Sequence, residues 1–122
     1  MTNAIKLIQE RVKNRQGLTI DAVGNMPEHK GYVISVPKYG KVFDLNKDTF
    51  DIVQLYKEYQ NHFESFRYWF GFWFGFWFDS DKLYVDYNII IQDLPSALKL
   101  GKDLNQLAIF DLTNQKEIFI KY

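Results

Sequence analysis

The hydrophobic positions of this chain alternate between two periods. Ile5, Ile8 and Val12 follow helical spacing behind Asn3, a residue able to cap a helix. A first helix is therefore expected from Asn3 to about Arg15, stopping at Gly17, with Lys6, Glu10, Lys13 and Arg15 on its outer face. Residues 16–30 contain Gly24, Asn25 and Pro27 and read as a loop, a hinge between an N-terminal arm (1–17) and the body. Tyr32–Val36 has strand composition, Pro37-Lys38-Tyr39-Gly40 reads as a turn, and Lys41–Leu45 as the returning strand of a hairpin. Asp48 then stands where it would cap a helix from about Thr49 to Phe63. The apolar stripe of that helix is Phe50, Val53, Tyr56, Tyr59 and Phe63.

The period changes most sharply in the run Tyr-Trp-Phe-Gly-Phe-Trp-Phe-Gly-Phe-Trp-Phe, residues 68–78. As a strand it separates cleanly, because successive side chains point to opposite faces. Phe70, Phe72, Phe74, Phe76 and Phe78 form one wall, and Trp69, Gly71, Trp73, Gly75 and Trp77 form the other. As a helix it would carry two glycines, at about 1 kcal/mol each. Aromatic residues also favour strands, so a strand is expected.

Asp79-Ser80-Asp81-Lys82 reads as a four-residue hairpin loop, and Leu83–Gln92 as the return strand. Pairing Phe78 with Leu83 places Phe76 opposite Val85, Phe74 opposite Tyr87 and Phe72 opposite Ile89. On the other face Trp77 meets Tyr84, Gly75 meets Asp86 and Trp73 meets Asn88. Asp93 caps a helix from Leu94 to about Leu104 with Pro95 in its first turn, and its inner face holds Leu94, Ala97, Leu98, Gly101 and Leu104. Residues 107–112, a turn at 113–116 and residues 117–122 give a last hairpin. The order is α-ββ-α-ββ-α-ββ, a single α+β domain over 1–122: a mostly antiparallel sheet of about six strands in three hairpins, with three helices on one face.

Composition narrows the function classes. The chain has 122 residues, 47% of them hydrophobic, enough for one core without staples, and no cysteine for disulfides or thiolate metal sites. No signal-peptide core opens the chain, and its longest apolar run, at 68–78, is far short of a membrane helix. The expectation is a cytoplasmic protein without a membrane partner. Net charge is zero, with residues 1–42 carrying seven basic and three acidic groups and the rest eight basic and twelve acidic. That balance does not favour a strongly basic nucleic-acid binder.

Catalytic chemistry finds little support. The two histidines, His29 and His62, form no recognisable pair with a serine. Asp79-Ser80-Asp81 could touch a hard cation, but these residue types serve tight turns first. Gly71 and Gly75 are separated by aromatics, not placed in a phosphate-cradling turn. A non-enzymatic protein without cofactor or metal is expected.

The segment from Trp77 onward resembles a group of small proteins of bacterial genomes, phages and other mobile elements. The resemblance rests on Trp77, Asp79, Leu83-Tyr84-Val85-Asp86, Ala97-Leu98-Lys99-Leu100-Gly101 and Asn105–Leu112. It covers roughly the last third of the chain, and Gly31–Gly40 is similar to the same group. Members carry a single Gly-x-Trp before the hairpin turn, whereas this chain repeats the unit, which points to local duplication. The resemblance implies a host protein as partner, such as a defence complex that the protein inhibits.

The expected contact residues are Trp69, Trp73, Trp77, Tyr84, Asp86 and Asn88, with Lys6, Lys13 and Arg15 as a secondary charged surface. Two alternatives stand beside this. The N-terminal helix could cover the tryptophan face as a second small core, or that face could pair two copies of the chain. The rival function is single-stranded nucleic-acid binding, with bases stacked on the tryptophans. Asp79, Asp81 and Asp86 beside them oppose it.

Overall fold

The computed structural model describes residues 3–65 and 72–122, with the side chains of residues 38, 39 and 62–65 excepted. The elements are α1 (Asn3–Lys13), β1 (Leu18–Ile20), β2 (Tyr32–Asp44), α2 (Ile52–Ser65), β3 (Phe72–Asp79), β4 (Lys82–Ile91), α3 (Leu94–Asp103), β5 (Ala108–Asp111) and β6 (Lys116–Phe119). The fold is α+β, and the element order is the expected one. Six strands form one sheet in the order β1-β3-β4-β2-β5-β6, with every pairing antiparallel.

The β3–β4 hairpin has the register read from the sequence, from Phe78 opposite Leu83 to Phe72 opposite Ile89. Its turn is tighter than expected. Asp79 pairs with Lys82, so only Ser80 and Asp81 turn the chain, with Ser80 at φ 54°. Serine adopts that left-handed conformation at modest cost in a turn.

The first pair of strands is built differently from expectation. Residues 18–20, read as loop, form β1 and pair with β3. Residues 32–44 do not fold back as a hairpin but run on as one strand, both halves of which pair with β4. The Pro37–Gly40 segment is a bulge in β2, where four residues stand opposite the single Asp86. The turn expected at these residues is thus an interruption within one strand and not a reversal between two. The ten residues of β4 are long enough to pair with both segments at once, and the bulge keeps their apolar positions on one face. Thus Ile34 lies opposite Ile89, Val36 opposite Tyr87 and Phe43 opposite Leu83.

Helix ends also follow local chemistry. At the start of α2, Asp51 rather than Asp48 caps, its carboxylate accepting from the Gln54 N–H at 3.1 Å. Asp48 instead accepts from the Asp44 N–H at 2.7 Å, closing the turn after β2. Helix α1 stops before Gly17: Arg15 takes φ 52° and the Gln16 N–H reaches the Arg11 carbonyl at 2.8 Å. Asp93 caps α3 as expected, accepting from the Ser96 N–H at 3.0 Å.

All three helices lie on one face of the sheet. Ala4 and Ile8 of α1 and Ile52, Tyr56 and Tyr59 of α2 are buried with Phe74, Phe76, Leu83, Val85 and Tyr87. Tyr59 packs edge-on to Tyr87 with ring centroids 5.2 Å apart, and its hydroxyl donates to the Phe72 carbonyl at 2.5 Å. Each such buried aromatic contributes about 2–3 kcal/mol through the apolar area it removes from water. Helix α3 forms a second cluster at the far end, Ala97 against Ile34 and Ile109. Helix α1 therefore packs against α2 and β1 on the phenylalanine side of the sheet, not on the tryptophan face that the sequence offered as one of its positions.

Candidate functional face

With the helices on one side, the register assigns the other side of the sheet residue by residue. It carries Thr19 on β1; Val33, Ser35, Val42 and Asp44 on β2; and Trp73, Gly75, Trp77 and Asp79 on β3. Tyr84, Asp86, Asn88 and Ile90 of β4 join them beside Lys82, with Phe110 of β5 and Glu117 and Phe119 of β6 at the far end. No described helix lies on this face. Trp77 is 46% exposed and Val42 and Phe119 more so.

The tryptophan end is organised around Asp86. The Trp77 indole stacks on Tyr84 with centroids 4.1 Å apart and planes 9° from parallel. Its Nε1–H donates to Asp86 Oδ2 at 3.2 Å. Across from Asp86 on β3 is Gly75, and on β2 the bulge, where a Cβ built on Gly40 would stand 3.5 Å from Asp86 Oδ1. Burial between these elements pushes the Asp86 carboxyl above the ordinary carboxylate range, and the bond from Trp77 opposes that only in part.

Asn88, expected as a contact residue, is buried. Its Oδ1 accepts from the Ser35 hydroxyl at 3.1 Å, and its Nδ2 occupies the space over Gly75, 2.3 Å from where a Cβ would be. It supports the face from below. Trp73 is half-buried beside it in register. Trp69 lies outside the described residues.

The secondary charged surface separates from this group. Lys6 is exposed on α1, behind the sheet from Trp73. The C-terminal end of α1, with Lys13 and Arg15, leads instead to the sheet edge. There Gly17 passes beside Trp77, a Cβ on it lying 3.4 Å from that of the tryptophan, and the Arg11 guanidinium donates to the Gly17 carbonyl at 2.7 Å. Sequence reasoning missed Val42, Phe110 and Phe119 as members of the face and the bulge as its wall. The two-residue alternation in each strand carried that signal, but using it required knowing which strands were neighbours.

Among the described side chains the charge of the face is acidic: Asp44, Asp79, Asp86 and Glu117 stand against Lys82, which lies in register between Asp79 and Asp44. Lys41 points to the helix side, 4.0 Å from Glu58. Among the described residues no three His, Asp or Glu side chains come together as a metal site, and no helix is long and apolar enough to cross a membrane. A scan against protein-family models and searches of curated proteins and of solved structures gave no match.

Proposed function

We propose that the protein is a non-enzymatic binding module that docks another protein on the helix-free face of its sheet. Trp73, Trp77 and Tyr84 carry contact, and Asp86 supplies a polar group among them. One observation carries the reading: all three helices lie on the side of the sheet that holds the phenylalanine wall, which leaves an aromatic face without a described cover. Exposed aromatic surface of this kind characterises interaction sites, where tryptophan and tyrosine anchors dominate affinity. The resemblance of the C-terminal third to proteins of phages and mobile elements makes a host protein the favoured partner, in the cytoplasm, with inhibition of a host defence complex as the concrete form.

The test is an affinity capture of the tagged protein from bacterial lysate, with and without nuclease. A discrete protein that survives nuclease and is lost with Trp77→Ala supports the module. Partners that vanish with nuclease would support base stacking on the same rings instead. The acidity of the face argues against that outcome, since single-strand binders pair stacking with a basic groove.

A further inference from the structure

We propose that the partner presents an arginine side chain to this face, seated on Asp86 against the Trp77 indole; the proposal rests on the protein-binding reading above and names the chemistry of its anchor. Three observations converge on a cationic occupant.

The first is the half-used carboxylate. Asp86 Oδ2 accepts from Trp77, while no hydrogen bond reaches Oδ1 among the described residues. No fully buried side-chain polar atom lacks a partner among those residues, so Oδ1 is not wholly enclosed. Gly40 lies beside it and has no side chain to stand over it. Among the described side chains no ion pair neutralises Asp86: Lys82 lies at the end of the sheet and Lys41 on its other side.

The second is the aromatic wall beside that oxygen. Trp77 is stacked against Tyr84 and yet almost half exposed, so its indole is held rigid and accessible together. A cation set over an indole face is attracted by the ring quadrupole, and the attraction grows as water is excluded. A guanidinium fits both surfaces at once. It is planar, weakly hydrated, stacks on an aromatic ring and presents several donors to a carboxylate at its edge.

The third is the charge of the face, four acids to one lysine among the described side chains, which complements a basic segment and repels a phosphate backbone. The raised carboxyl of Asp86 agrees with this, because a partly desolvated carboxylate gains most from an incoming cation.

The test uses the full chain with its tryptophan indoles labelled with nitrogen-15, the Trp77 signal being assigned with Trp77→Phe. The probe is an unstructured glycine–arginine peptide, and its comparison is the same peptide with citrulline, a neutral isostere, at every arginine. A saturable shift of the Trp77 indole signal by the arginine peptide is expected. Affinity should fall on the order of tenfold or more with citrulline and with Asp86→Asn. Asp79→Asn, at the hairpin turn, should retain most of it. Equal binding of the citrulline peptide to the unaltered protein overturns the proposal without relying on any variant. Undiminished binding by Asp86→Asn, or an equal loss with Asp79→Asn, overturns it as well. In the lysate capture, a partner lost with Trp77→Ala but kept with Asp86→Asn would reject the arginine anchor and leave the binding module standing. No loss with Trp77→Ala or Trp73→Ala would reject the module itself.

Discussion

Asp86 and Gly75 face each other across β3 and β4, and each constrains the side chain that leans over it. Asp86 is more basic in the folded chain than in the unfolded one, so it favours folding fully below the unfolded value of about 3.9. That contribution disappears as pH rises through the folded value, and at neutral pH the ionised group works against the fold. Asp86→Asn keeps an oxygen for the Trp77 N–H. Its melting temperature relative to the original protein is therefore expected to be higher at pH 7 than at pH 3. Gly75→Ala should do the opposite of what its added strand preference suggests. Its Cβ displaces the buried Asn88 amide from over residue 75 and disturbs the bond from Ser35, costing about 1 kcal/mol. Denaturant midpoints of Gly75→Ala and of Gly75→Ala with Asn88→Ser would check this, the second recovering much of the loss. The partition of phenylalanine from tryptophan was legible because a strand has only two faces and the run repeats every second residue. The setting of Asp86 was not, because it depends on a bulge in another strand.

Elements show the same division between what is local and what is not. The β3–β4 register followed from the sequence because the two strands are neighbours joined by a short turn. Strand β1 escaped because Leu-Thr-Ile is too short to show a period, and its partner β3 lies far along the chain. The apolar stripe of α1 stated that the helix would be covered without stating on which side of the sheet. Its position gives a direct expectation. Ile8 is fully buried in the cluster beneath the phenylalanine wall, so Ile8→Ala should cost about 2–4 kcal/mol. Lys6→Ala, on the exposed side, should change stability by less than about 0.5 kcal/mol. Chemical denaturation of the two variants separates these values clearly.

At the scale of the molecule, the structure is two layers with unequal halves. Strands β3 and β4 are joined by eight cross-strand pairs, whereas β5 meets β2 through only Tyr32–Asp111 and Val33–Phe110. The unit of α3, β5 and β6 has its own small cluster around Ala97. Amide hydrogen exchange is expected to be faster throughout β5 and β6 than in the centre of β3 and β4, with the C-terminal hairpin opening as a unit. Trp73→Ala and Trp77→Ala should leave that pattern in place while weakening partner capture, since the rings stand on the face away from the main core.

The strand order has a consequence for how the protein is made. Helix α1 and β1 leave the ribosome ahead of the strand beside which they lie, β3, which is translated only after β2 and α2. Until Phe72–Asp79 has emerged, the apolar stripe of α1 has no wall to rest on, and β1 has no neighbour with which to form a ladder. Joining them closes a long loop before any reward is collected, which places folding on the order of milliseconds or slower. A nascent chain stalled before the phenylalanine strand would hold its N-terminal segment open to chaperones and proteases, and release of that one strand would withdraw it from both.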